Sequence, residues 1–365
     1  MDDYLLIDGH NDLPWAHRQG YGYDLGRADV ARPQPALHTD LPRLRRGGVK
    51  GQFWSVYVPS TLTGPEAVAA VLEQIDFVHR LVARYDDELG LATSADEVEA
   101  VVAGGRVASL LGAEGGHCIA DSLGVLRMLH RLGVRYLTLT HNHNTSWADS
   151  ATDVPAACGL TEFGRAVVAE MNRIGMVVDL SHVAPSTMRA ALDTGRAPVI
   201  FSHSNARALC DVPRNVPDDV LETMAARGGV CMATFVPGFV SQRTADWHQR
   251  CRDIAAERGL DPKDLVALGR VVEERAAADP PPRSTVEDVV AQLEHLRAVA
   301  GVDHLGIGGD FDGTDLVTSG LEDVATYPRL FAALRDRSWS AADLDKLAGR
   351  NVLRVLRDVE SVAAA

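Results

Sequence analysis

His10 and Asp12 stand two positions apart near the start of the chain. In an extended segment, residues two apart project from the same face. An imidazole and a carboxylate placed this way can grip one metal ion together. Glu114, His141, His182, His203 and Asp310 follow at wide intervals. Neutral imidazoles suit zinc, and mixed nitrogen and oxygen ligation is normal for catalytic sites. Glu114 sits in Gly112-Ala113-Glu114-Gly115-Gly116, where the glycines let backbone and ligand approach closely. A carboxylate there can offer one oxygen to each of two ions. Charge counting agrees with a pair. Two divalent ions bring four positive charges; Asp12, Glu114, Asp310 and a bridging hydroxide bring four negative ones, so a dry pocket stays near neutral. Water on such an ion is acidic enough to be hydroxide near neutral pH. The chain has only three lysines, Lys50, Lys263 and Lys346, none at the end of a predicted strand. Schiff-base chemistry and a bridging carboxylated lysine are thereby disfavoured.

These side chains need a frame that brings them together. Eight short runs rich in Val, Ile or Leu predict strands: Tyr4–Asp8, Gln52–Val58, Val107–Gly112, Arg135–Thr140, Gly175–Leu180, Pro198–Ser202, Gly229–Phe235 and His304–Gly308. Apolar runs of that length suit strands buried on both faces of a parallel sheet. Between and after them, Pro65–Ala83, Thr161–Asn172, Pro185–Leu192, Pro217–Ala226, Val286–Val299 and Ala341–Val355 predict helices. Pro217 followed by Asp218 and Asp219 makes a good first turn beside a helix dipole. Strands alternating with helices predict an α/β fold, a (β/α)8 TIM barrel spanning residues 1–365 as one unit. Six of the eight predicted strands run into His10-Asn11-Asp12, Glu114, His141, His182, His203 and Asp310. Strand ends of one barrel converge on the face where barrel active sites sit, so this coincidence argues for a site. Residues 241–282 do not fit the alternation. They predict a helical insertion after strand seven, either a lid, a subunit contact or a solvated decoration.

The sequence has 365 residues, 46% hydrophobic and 24% charged, which excludes disorder as the main state. A net charge of −14 disfavours a broad basic surface for nucleic acid or an anionic membrane. The first residues carry no basic segment followed by an apolar stretch, no run of about 18 apolar residues occurs, and the end does not predict a lipid anchor. Five widely spaced cysteines without a CxxC predict packed thiols and a cytoplasmic location.

Asp8-Gly9-His10-Asn11-Asp12-Leu13-Pro14 resembles the opening of the renal, or membrane, dipeptidase family of zinc metallopeptidases, within the amidohydrolase superfamily. Glu114-Gly115-Gly116, Leu137-Thr138-Leu139-Thr140-His141-Asn142, Ser181-His182 and Phe201-Ser202-His203-Ser204 continue the resemblance. Arg214-Asn215-Val216-Pro217-Asp218-Asp219 and Gly308-Gly309-Asp310-Phe311-Asp312-Gly313 complete it, in family order from residue 8 to 358. The resemblance implies a binuclear zinc centre. One ion would be held by His10, Asp12 and Glu114, the other by Glu114, His182 and His203. It further implies that His141 contacts the substrate and polarises the scissile carbonyl, that Arg214 receives the substrate carboxylate, and that Asp310 handles protons. An arginine fork suits a carboxylate.

The implied activity is hydrolysis of small dipeptides with a free C-terminal carboxylate, L-Xaa-D-Xaa among them, by a metal-bridging hydroxide. Some relatives open β-lactams. Another amidohydrolase acting on a small amide, lactam or lactone is the alternative, although His-x-His at strand one would suit a deaminase or lactonase better than His10-x-Asp12. A non-catalytic metal-binding protein is a further alternative, but it predicts loss of one of these residues and all are present. The expected partners are a small dipeptide and a second copy of the chain, as a dimer, with no nucleic acid and no membrane. The membrane location and disulfides of mammalian members are not expected here. His143, two residues beyond His141, can also point into the pocket.

Overall fold

A computed structural model describes residues 4–364; Met1–Asp3 and Ala365, the ends of the expected unit, lie outside the described residues. Nine parallel strands are formed: β1 (Leu6–Asn11), β2 (Val49–Tyr57), β3 (Leu89–Leu91), β4 (Val107–Glu114), β5 (Val134–Thr138), β6 (Val177–Asp179), β7 (Ile200–Phe201), β8 (Val230–Ala233) and β9 (Leu305–Ile307). Eight of them close a ring in the order β1–β2–β4–β5–β6–β7–β8–β9, with β9 pairing back to β1. Helices follow the strands around the outside, so the fold is a (β/α)8 TIM barrel.

β3 stands outside the ring. Leu89–Leu91 pairs with Val107–Ser109 at the start of β4, whereas β5 joins that strand only from Leu111 onward. The short strand thus fills an edge that would otherwise be bare, and a Leu-Gly-Leu run is too short to stand out as a pattern. The bounds of the predicted strands shift throughout, and two of the shifts bear on the site. β1 continues through Asn11, which places His10 inside the strand. β7 shrinks to two residues, because the Ser202 N–H leaves the ladder to donate to Asp179 Oδ1 at 2.8 Å. The last predicted helix is broken by a π-helical turn at Lys346–Arg350 and resumes as Asn351–Ala364.

Apolar side chains form two layers. One lies between the strands and the helical coat. The other fills the barrel with Ile7, Phe53, Leu110, Tyr136, Val177, Ile200 and Met232, and continues onto Val352, Val355 and Val359 of the last helix. Between β8 and β9 the chain forms the helices Gln242–Glu257 and Leu265–Ala278. These carry a small core of their own, in which Trp247, Cys251, Ala255 and Val271 are buried together. Among the described residues, no helix is long and apolar enough to cross a membrane.

Tyr136 is the largest polar intrusion into the barrel. Its strand neighbour in register is Gly112, and the ring lies where a Cβ at position 112 would be. Lacking that atom, Gly112 lets the ring cross the barrel interior toward β1, with its hydroxyl 2.8 Å from His10 Nδ1. Gly112→Ala should therefore force the ring aside and destabilise the fold by about 1–3 kcal/mol, the usual scale of overpacking. A urea unfolding midpoint unchanged from wild type would contradict this packing.

Candidate metal centre

Seven residues, on or just beyond the ends of six barrel strands, meet at the C-terminal face of the ring. His10 Nε2 lies 3.3 Å from Asp12 Oδ2 and 3.5 Å from Glu114 Oε2. Glu114, the last residue of β4, turns its other oxygen the opposite way. Oε1 is 3.0 Å from His182 Nε2 and 3.5 Å from His203 Nε2. The two sides of one carboxylate thus face two different sets of nitrogen and oxygen donors. His10, Asp12 and Asp310 form one compact group, His10, Glu114 and His203 another, and Glu114, His141 and His182 a third. All these side chains are buried. His182 and Asp310 have φ of +67° and +61°, a left-handed conformation that His and Asp adopt more readily than most residues but still at a cost.

Backbone and side-chain ties hold the strand ends in place. Asp179, ending β6, accepts from the N–H groups of Ser181 and Ser202 at 3.1 and 2.8 Å, and from the hydroxyls of Thr138 and Ser202 at 2.5 and 2.7 Å. One carboxylate therefore fastens β5, β6 and β7 just below His182 and His203. Asp8 does the same for β1 and the segment after β9. It accepts from the N–H groups of His10 and Gly309, each at 3.0 Å, and from the Tyr327 hydroxyl. Burial raises Asp8 to about 6 against the pull of these donors.

The donor set fits metal ions. His10 Nε2 and Asp12 Oδ1 are buried with no hydrogen-bond partner, and such groups are costly unless something pairs with them. Burial above all pulls His141, His182 and His203 well below the ordinary histidine value. Their imidazoles are therefore neutral, the form that ligates metals. Burial draws His10 the same way, but Tyr136, Glu114 and Asp12 outweigh it and raise it. Burial also pushes Glu114 and Asp310 up, Asp310 well above the carboxylate range, with Asp12 adding to both. Carboxylates crowded in this way need positive charge among them.

Comparisons with known proteins give the family. The family model described as membrane dipeptidase (peptidase family M19) matches residues 1–365. The chain belongs to the membrane dipeptidase family. It is 41% identical to dipeptidase verJ of Clonostachys rogersoniana over 100% of this chain and 86% of that protein. It is 42% identical to dipeptidase tcpJ of Claviceps purpurea, over 98% of this chain and 78% of that one. Among solved structures, a metallopeptidase from Rhodobacter sphaeroides, liganded with a phosphinate mimic of L-Ala-D-Ala, has the same fold. Its TM-score is 0.80 at 24% identity, over 98% of this chain and 100% of that one. Membership of this metallopeptidase family makes the chain a metal-dependent enzyme.

In this member of the membrane dipeptidase family a cavity of 630 Å³ opens above the buried cluster, reached by Asp12, Glu114, His141, His182, Arg214 and Asp310. Arg214 is only 4% exposed. One nitrogen, Nη2, donates to the His203 carbonyl at 3.3 Å, and the guanidinium lies 5.0 Å from the Phe239 ring centre. Nε and Nη1 have no protein partner. Burial lowers Arg214 to about 10, still protonated at neutral pH. His141 stacks between Tyr57 and His182, with ring centres 4.7 and 4.3 Å away. His143 does not join the cluster; it pairs with Ser60 Oγ at 2.7 Å and Asp261 Oδ2 at 3.3 Å. From residues 241–282, Lys263, Val266 and Arg270 reach the cavity wall, and Lys263 Nζ is 2.5 Å from Asp153 Oδ1.

The sequence pattern pointed to the groups facing the cavity but not to those beneath them. Asp179, Tyr136 and Tyr327 were missed. A carboxylate closing an otherwise apolar strand was the available signal for Asp179; Tyr136 and Tyr327 had none, being aromatic residues in apolar stretches. Tyr327→Phe tests this lower tier. It removes one donor from buried Asp8 and should lower stability by about 1–3 kcal/mol, read as a lower melting temperature. An unchanged melting temperature would show that the Tyr327 hydroxyl does not support β1.

Proposed function

We propose that the chain is a zinc-dependent dipeptidase that hydrolyses the peptide bond of small dipeptides bearing a free C-terminal carboxylate. The observation that carries this reading is the buried Arg214, which keeps two nitrogens without protein partners beside the donor cluster. A buried cation in that state calls for a small anion, and its planar fork fits a carboxylate. Two zinc ions fit the donor set, His10, Asp12 and Glu114 holding one and Glu114, His182 and His203 the other. When bound, the pair supplies Lewis acidity and a hydroxide nucleophile.

The chain's own groups do the rest. Arg214 holds the terminal carboxylate, which fixes the scissile carbonyl over the cluster. His141, neutral and set between Tyr57 and His182, meets the oxyanion as charge develops there. Asp310 accepts a proton and delivers it to the departing amine. Acceptance of a D-residue at the C-terminal position follows from the family resemblance and is supported by the ligand of the Rhodobacter sphaeroides relative. Residues 1–365 act as one unit with 241–282 as an insertion after the seventh ring strand. The five unpaired cysteines support a cytoplasmic location, and the working form is a dimer.

Protein prepared without chelator should carry about two zinc ions per chain. Prolonged chelation should abolish dipeptide hydrolysis, and zinc should restore it. Full activity with a single tightly held ion would overturn the binuclear assignment.

Arg214→Met should lower kcat/KM for a free dipeptide by roughly 30-fold or more, since losing a buried charge-assisted pair costs about 2–5 kcal/mol. The same change should matter far less for a C-terminally amidated dipeptide, which has no carboxylate to pair. Equal losses on both substrates would assign Arg214 to structure instead.

A further inference from the structure

A histidine binds a metal through one ring nitrogen only if the hydrogen sits on the other. The side chains behind His10 and His203 decide that placement. His10 Nδ1 lies 2.8 Å from the Tyr136 hydroxyl, and that hydroxyl donates its own hydrogen to the Gly9 carbonyl at 3.2 Å. Having spent its hydrogen, the oxygen can only accept from Nδ1. His203 Nδ1 lies 2.8 Å from Ser202 Oγ, whose hydrogen goes to Asp179 Oδ2 at 2.7 Å. The same reasoning puts the His203 hydrogen on Nδ1. Nε2 is then the nitrogen that each ring offers to an ion, and both Nε2 atoms face the Glu114 carboxylate.

We propose that Tyr136 and Ser202 are positioning residues that fix the tautomers of His10 and His203, one in each half of the centre. This rests on the metal-centre reading above. His182 is the contrast. Its Nδ1 has no protein partner, and its Nε2 lies 3.0 Å from both Glu114 Oε1 and His203 Nε2. Among the described residues, no hydroxyl backs the His182 ring as one backs His10 and His203. The chain presents two ligands with a hydroxyl behind the ring and one without.

The full-length protein, loaded with zinc and labelled with nitrogen-15 in its histidine rings, tests this. Long-range proton–nitrogen correlations should show His10 and His203 with hydrogen on Nδ1. Tyr136→Phe should release His10 alone and Ser202→Ala should release His203 alone. Each should weaken zinc binding about 10–100-fold for one ion of the pair, measured by chelator competition. Ser202→Thr, which keeps a hydroxyl, should restore the His203 tautomer. In the zinc-loaded wild type, a ring with hydrogen on Nε2 at either position overturns the proposal. So do variants that keep full affinity, or that disturb both rings alike. If rings and affinities respond as stated in a chain that cleaves no dipeptide, the positioning stands and the dipeptidase reading falls.

Discussion

Three carboxylates, Asp12, Glu114 and Asp310, are confined with four imidazoles in a buried space at the top of one barrel. Carboxylates held this close repel one another and lose their water, so the arrangement has to be imposed from outside. The barrel imposes it. Each group stands on or just beyond a strand end, and the strands are locked to neighbours on both sides. Left-handed backbone at His182 and Asp310 is a local sign of the same imposition.

Beneath the tier that faces the cavity lies a second one that transmits the constraint. Asp179 binds three consecutive ring strands, Asp8 binds two, and Tyr136 crosses the interior to reach His10. Here the packing link and the chemical link meet. Gly112 gives up a side chain so that Tyr136 can lie across it, and the tyrosine hydroxyl then reaches the opposite wall. A residue with no functional group of its own thus decides where a metal-competent nitrogen points.

The upper tier was legible in the sequence because chemistry ends strands. His10, Glu114, His182, His203 and Asp310 each interrupt or follow an apolar run, and eight such runs imply a barrel that gathers them. Arg214 followed from family resemblance alone, since nothing in Pro213-Arg214-Asn215 distinguishes a buried arginine from an exposed one. Tyr136, in the lower tier, was illegible for a related reason. Tyr136 belongs to the apolar period of its own strand, and its partner lies 126 positions away. β3 escaped notice because three residues carry no period, and β7 ended early because a side chain on another strand took its N–H.

The helices Gln242–Glu257 and Leu265–Ala278 bury Trp247, Cys251, Ala255 and Val271 against one another, apart from both layers of the barrel. They nonetheless supply cavity wall through Lys263, Val266 and Arg270. The floor of the pocket and this part of its wall thus rest on different apolar cores. A substitution in the wall meets a local core, whereas one in the floor meets the whole ring. Divergence among descendants of this chain has an easy direction. The wall can drift, lengthen or be replaced, and what the enzyme admits can change, while the reaction it performs is inherited intact.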